Sequence, residues 1–108
     1  MKGLTRKEEL TMLSILNLQE NAYLIAIANH LTKITGKKLS LTSVHLPLSR
    51  LEKRELIESE FGKATAVRGG RRKKIYKVTK NGFEELNKYK KITDMLWMNY
   101  SRLSSQKE

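Results

Sequence analysis

Apolar residues recur at helical spacing through the first half of the chain, alternate after Ile57, and return to helical spacing near the end. Thr5-Arg6-Lys7-Glu8 has the form of a capping box, with the Thr5 hydroxyl accepting the Glu8 N–H and the Glu8 carboxylate reaching back. Leu10, Leu13 and Leu16, flanked by Met12 and Ile15, then predict an apolar stripe running to about Leu18. Polar Gln19-Glu20-Asn21 breaks the pattern, and Asn21 is the expected N-cap of a second helix from Ala22 to about Thr35. Tyr23, Leu24, Ile27, Ala28, Leu31 and Ile34 line one face of that helix, and Gly36 supplies its stop. After the connector Lys37-Lys38-Leu39, Ser40 is placed to cap a third helix with Val44, Leu48 and Leu51 inward and Leu56-Ile57 as a candidate extension. Pro47 inside it removes one backbone hydrogen bond and predicts a slight kink.

The alternation predicts two strands, Glu58 to Arg68 and Arg71 to Thr79, with Arg68-Gly69-Gly70 near the turn. Tyr76 and Val78 share one face of the second strand, and Lys73, Ile75 and Lys77 take the other. Thr79 then caps a last helix, with Gly82 in its first turn, that extends to Ser104. Its seam of Leu86, Tyr89, Thr93, Leu96, Tyr100 and Leu103 is narrow and resembles a coiled coil, with Thr93 its one polar member. No later element is available to cover it, so another subunit is its expected partner. The closing Ser-Ser-Gln-Lys-Glu is expected to fray.

Length and composition narrow this picture. A chain of 108 residues fits one domain, and 39% hydrophobic with 31% charged residues fits a folded one. No apolar run approaches a membrane span, Met1-Lys2-Gly3-Leu4-Thr5 starts no signal peptide, and cysteine is absent, so a cytoplasmic location and no membrane partner are expected. The net charge of +11 is uneven: residues 1–60 hold nine bases and seven acids, residues 61–108 thirteen bases and four acids. Eight of the bases lie between Lys63 and Lys80, where there is no acid. General solubility would intersperse the two signs, whereas a cationic hairpin points to a polyanion such as a nucleic acid backbone.

Helix, helix, helix, hairpin, helix is the order of a winged helix-turn-helix, so the expected fold is mainly α with a small β-hairpin and a long C-terminal dimerisation helix. Residues 1–80 would form the DNA-binding domain and 81–108 the dimerisation helix and tail, all in one compact unit. Ser40, Thr42, Ser43 and His45 cluster where a recognition helix meets phosphates and base edges, and Arg50 follows on the same helix. Arg68, Arg71, Arg72, Lys73 and Lys74 are the candidate wing contacts. Ser40 also reads as a simple cap, Arg50 and Glu52 equally as structural ion-pair members, Tyr76 as packing, and Tyr89 and Tyr100 as seam fillers. His30 and His45 lie on different elements without a carboxylate or cysteine cluster, and no phosphate-binding loop or His-paired serine motif occurs. No enzyme activity, metal or cofactor is therefore expected.

Two segments resemble the PadR family of bacterial transcription regulators, of the small type with a single C-terminal helix. They are Ser40-Leu-Thr-Ser-Val-His-Leu-Pro-Leu-Ser-Arg50-Leu51-Glu52-Lys-Arg-Glu-Leu-Ile57 and Gly70-Arg71-Arg72-Lys73-Lys74-Ile-Tyr76-Lys-Val-Thr79-Lys-Asn-Gly82. The resemblance covers roughly residues 8–86 and implies that Ser40 opens the recognition helix. It also implies that Arg50, Leu51 and Glu52 tie that helix to the wing, that Arg71 to Lys74 form the basic wing, and that Tyr76 is one of its paired aromatics. The family usually has Gly at Thr42, Tyr at His45, Pro at Leu46, Gly-Tyr at Leu24-Ile25, and an aromatic at Ile75.

The resemblance further implies a homodimeric repressor bound to a pseudo-palindromic operator in double-stranded DNA. It also makes Thr93 and Trp97 candidate contacts for a planar hydrophobic small-molecule effector, with interface packing as the plainer role of Trp97. A winged-helix protein-interaction module that reads no DNA sequence is the alternative, because fold alone does not decide function. RNA binding is a weaker third reading, since the wing lacks an aromatic stacking platform.

Overall fold

A computed structural model describes residues 3–62 and 73–105. Three helices, α1 (Arg6–Leu18), α2 (Leu24–Thr35) and α3 (Leu41–Lys53), precede strands β1 (Ile57–Phe61) and β2 (Lys74–Val78) and helices α4 (Lys80–Trp97) and α5 (Tyr100–Ser105). The strands pair antiparallel from Ile57↔Val78 to Phe61↔Lys74. The predicted winged helix-turn-helix is therefore the observed fold. The expected turn at Arg68-Gly69-Gly70 and the adjoining ends of both strands lie outside the described residues, as do residues 106–108 of the tail; Ser104 and Ser105 are helical.

Local side-chain hydrogen bonds start three of the helices where the sequence places them. Thr5 and Glu8 exchange both bonds of the capping box, Ser40 accepts from the Ser43 N–H, and Thr79 accepts from the Gly82 N–H. Gly36 closes α2 at φ 74°, a left-handed conformation that glycine takes without a Cβ penalty. Helix α3 runs unbroken through Pro47, which is buried.

Helix α2 departs from expectation at its start. Asn21 belongs to a single 3-10 turn, and the N-cap is Tyr23, without a side-chain bond. The cause is long-range: Ala22 is fully buried and its carbonyl accepts the Tyr76 N–H at 2.9 Å, which ties this turn to β2 ahead of the helix. Ile34, expected on the core face, is exposed, and Leu31 is the last α2 residue in the core.

The α1 stripe is also rotated from the expected one. Glu8, Thr11, Met12, Ser14 and Ile15 are buried against the interior, while Leu13 is 41% exposed. Leu10 and Leu16 pack only at the core's margin. Polar groups are tolerated on the inner face because each is satisfied: the Thr11 hydroxyl donates to the Lys7 carbonyl, and Ser14 Oγ lies 3.0 Å from His30 Nδ1 on α2.

The last helix is not continuous to Ser104, because a turn at Met98 and Asn99 separates α4 from α5. From Asp94 to Ser105 every residue is exposed, so local propensity alone holds this stretch, and Asn99 is a poor helix former. The seam divides accordingly. Leu86 is buried within the chain, Tyr89 accepts the Leu4 N–H at 3.0 Å, and only Leu96, Tyr100 and Leu103 stand fully outward. The projecting helices give the molecule its elongated 60 × 31 × 21 Å shape.

Gly82 is where α4 meets the end of α3 and the wing. A Cβ there would lie 2.1 Å from the Leu56 carbonyl oxygen and 2.7 Å from Val78 Cγ1. Gly82→Ala is therefore expected to destabilise by about 2–3 kcal/mol in urea or thermal melting, overriding the ~1 kcal/mol that alanine gains inside a helix. A neutral or stabilising result would show that α4 can withdraw from this contact.

Candidate nucleic-acid interface

Helix α3 sorts its residues by face. Val44, Pro47, Leu48 and Leu51 are buried, whereas Thr42, His45, Leu46, Arg50 and Lys53 are exposed and Ser49 is half-buried. The outward residues follow spacings of three and four from Thr42, which is one continuous helical face. The two predicted serines are occupied with each other: Ser40 Oγ accepts the Ser43 N–H at 3.1 Å, and Ser43 Oγ donates to the Ser40 carbonyl at 2.8 Å. Thr42 and His45 project from the exposed face. Leu46, Ser49 and Lys53 were not among the sequence candidates, although counting by helical spacing from Thr42 reaches all three.

Arg50 and Glu52 each join an ion pair. Arg50 Nε lies 3.4 Å from Glu8 Oε2, and Arg54 approaches the same buried carboxylate at 3.9 Å. Glu8 thus serves the α1 capping box and also clamps α1 to the C-terminal half of α3. The Arg50 side chain remains 55% exposed, so the pair orients it without hiding it. Glu52 accepts the Ser59 hydroxyl at 2.5 Å and the Lys74 ammonium at 3.4 Å, one partner on each strand. Of Arg50, Leu51 and Glu52, which the resemblance implied tie α3 to the wing, Glu52 makes that tie, whereas Arg50 pairs with α1 and Leu51 lies in the core.

Of the five candidate wing cations, Lys73 and Lys74 are described; Arg68, Arg71 and Arg72 lie outside the described residues. The Lys73 ammonium sits 4.1 Å from the centroid of the Tyr23 ring, and Lys74 lies 5.6 Å from that of Tyr76. These residues line a groove of about 370 Å³ with Ile25, Leu41 and His45, where the start of α2, the exposed side of α3 and the base of the wing converge. Because Tyr23 caps α2 without a side-chain acceptor, the first-turn amides of α2 add positive potential beside Lys73. Burial raises the Tyr76 phenol above its ordinary pKa, only partly offset by the Lys74 charge, so it stays neutral beside the cations. On the outer side of the wing, the hydrogen bond from Lys77 to Glu60 at 3.0 Å raises the lysine pKa and satisfies its charge locally.

The remaining candidates lie on another surface. Leu13, Leu16, Phe83, Leu86, Asn87 and Thr93 line an apolar groove of about 390 Å³ between α1 and α4. Trp97 stands one turn beyond Thr93, 58% exposed, with its ring edge-on to Tyr100 at a centroid distance of 4.7 Å. Thr93 lines the groove, and Trp97, four residues further along α4, lies on the same helical face beyond it.

The chain matches the model of the "Transcriptional regulator PadR-like family" over residues 12–88. It is similar to the crystal structure of a PadR-like transcriptional regulator from Bacillus cereus, at 26% identity and TM-score 0.70, covering 90% of this chain and 92% of that one. A PadR family transcription regulator from Clostridium difficile gives 26% identity and TM-score 0.61 over 92% and 95% of the two chains. A PadR-like transcription factor from Bacteroides fragilis shares the fold at 23% identity and TM-score 0.68, with 91% and 92% covered. No curated protein matches the chain.

The geometry at Glu52 generates a direct test. Glu52→Ala should cost about 1 kcal/mol, because it removes charge-assisted bonds to both strands at a half-buried site. Amide exchange in β1 and β2 should accelerate while the inward half of α3 stays protected. Unchanged exchange in the strands would remove Glu52 from its anchoring role.

Proposed function

We propose, from the premise that this chain belongs to the transcriptional regulator PadR-like family, that it is a homodimeric repressor of a pseudo-palindromic operator and responds to a small-molecule effector. Membership makes it a DNA-binding transcriptional regulator; the symmetry, the sign of regulation and the effector are our reading. Residues 1–80 form its DNA-binding unit and 81–108 its dimerisation segment and tail. One observation carries the proposal: the exposed side chains of α3 and the Lys73–Tyr23 groove lie side by side, joined through His45.

In this reading α3 enters the major groove with Thr42, His45, Leu46 and Ser49 towards base edges. Ser40 and Ser43 set the helix start, and Arg50, held by Glu8, reaches a flanking phosphate. Lys73, Lys74 and the wing residues Arg68, Arg71 and Arg72 grip the backbone or minor groove. Two copies neutralising about 6–8 phosphates give log K a slope of about −5 to −7 against log salt. Replacing Lys73 and Lys74 together by alanine should flatten that slope while leaving the preferred sequence unchanged. A flat salt response of the unaltered protein, or no palindrome among sites selected from a random DNA library, would contradict the proposal.

The support for a dimer is apolar. Leu13 and Phe83 at the α1–α4 groove and Leu96, Met98, Tyr100 and Leu103 beyond it are exposed on the isolated chain, and clustered exposed apolar side chains of this kind mark interaction surfaces. The α4–α5 segment of a second copy has the length and the side chains to cover it. Leu96 is 76% exposed, so Leu96→Glu should fold normally yet sediment as a monomer. It should also lose at least about a hundredfold in affinity for a two-half-site duplex, because the half-sites are no longer linked. In the dimer, Trp97 and Tyr100 offer aromatic surface for a planar hydrophobic effector, which would act by favouring one angle between subunits. Trp97 fluorescence should be quenched by at least one member of a panel of planar hydrophobic compounds, with a matching change in operator affinity.

A further inference from the structure

We propose that Leu46 reads the C5-methyl group of a thymine in the major groove and thereby fixes one base pair in each half-site. This rests on α3 being the recognition helix. Leu46 is 54% exposed. Its neighbours on the same helical face are Thr42, His45, Ser49 and Arg50, each of which carries a donor, an acceptor or a charge. Leu46 does not belong to the core formed by Val44, Leu48 and Leu51; Leu41, the other exposed leucine of α3, lines the Lys73–Tyr23 groove with Ile25, and Leu46 does not. An isolated exposed leucine on a protein surface is ordinary. At the centre of a polar face that meets base edges, it is a chemical statement.

Leucine neither donates nor accepts a hydrogen bond. Pressed against guanine N7 and O6, adenine N6 and N7 or cytosine N4, it strips water from polar atoms and returns nothing. Only thymine presents an apolar group on that edge, so contact with its methyl removes apolar surface on both sides. Discrimination therefore comes as much from the penalty against the other bases as from the gain with thymine. Thr42 and His45, one turn before and one residue before, are left to supply hydrogen bonds to adjacent positions.

The test uses the full-length protein and a duplex selected from a random library. Each thymidine is replaced in turn by deoxyuridine, which deletes the methyl and keeps every hydrogen-bonding group. One position per half-site should weaken binding about fourfold, and replacement in both half-sites about sixteenfold, as expected for loss of one buried methyl at each. Leu46→Ala should bind more weakly and lose the distinction between thymine and uracil at that position alone, and Leu46→Asn should shift the preferred base there. Sequence-selective binding that is indifferent to every such replacement, or an unchanged thymine-to-uracil ratio in Leu46→Ala, would overturn the inference and leave the DNA reading intact. Absence of any selective binding would overturn both.

Discussion

The close approach of α4 to the end of α3 joins the helix-turn-helix and wing to the projecting helices. Residues Glu55 and Leu56 leave α3, and their carbonyls accept the Thr79 hydroxyl and the Thr79 N–H. The Thr79 hydroxyl in turn accepts the Gly82 N–H, starting α4. Gly82 has no Cβ, which lets the helix settle onto the Leu56 carbonyl, beside Val78 and Met12. The end of α3, the second wing strand and α4 therefore meet at one hydrogen-bonded corner.

Charge on the surface formed by α3 and the wing is divided by the acids nearest to it. Glu8 and Glu52 each hold one cation-bearing element in place: Glu8 draws Arg50 and Arg54 towards α1, and Glu52 draws Lys74 towards α3. Lys73 is held differently, by the face of Tyr23, which positions its ammonium without neutralising it. The interface thus keeps a net positive field while its side chains are orientationally restrained, which lowers the entropy lost when a polyanion is bound. Fixed geometry on α3 and a cationic grip on the wing suit a partner with a regular groove flanked by phosphates.

Much of this was legible in the chain itself. The capping residues Thr5, Ser40 and Thr79 act across three positions, so their spacing alone reveals them. Gly36 is equally local, since a left-handed helix stop needs only the residue that tolerates it. The alternation of Tyr76 and Val78 against Ile75 and Lys77 gave the wing its two faces for the same reason. The choice of α1's inner face was less legible. Leu10, Leu13 and Leu16 make the stronger hydrophobic stripe, yet the interior takes Thr11, Met12, Ser14 and Ile15, because those side chains meet α2, α3 and β2.

The sequence by itself determined the order of the main helices and strands, the caps at Thr5, Ser40 and Thr79, the accumulation of positive charge around the hairpin and the family resemblance. Each of these is encoded by neighbours within a turn or two, or by composition. Only the tertiary structure decided that Arg50 answers to Glu8, 42 positions away, and that Tyr89 secures the Leu4 N–H across 85 positions. It also decided that Ala22 is buried and gives its carbonyl to the Tyr76 N–H, which ends the 3-10 turn short of α2. These outcomes depend on which surfaces collapse together, and burial pairs residues by distance in space, which local spacing does not encode.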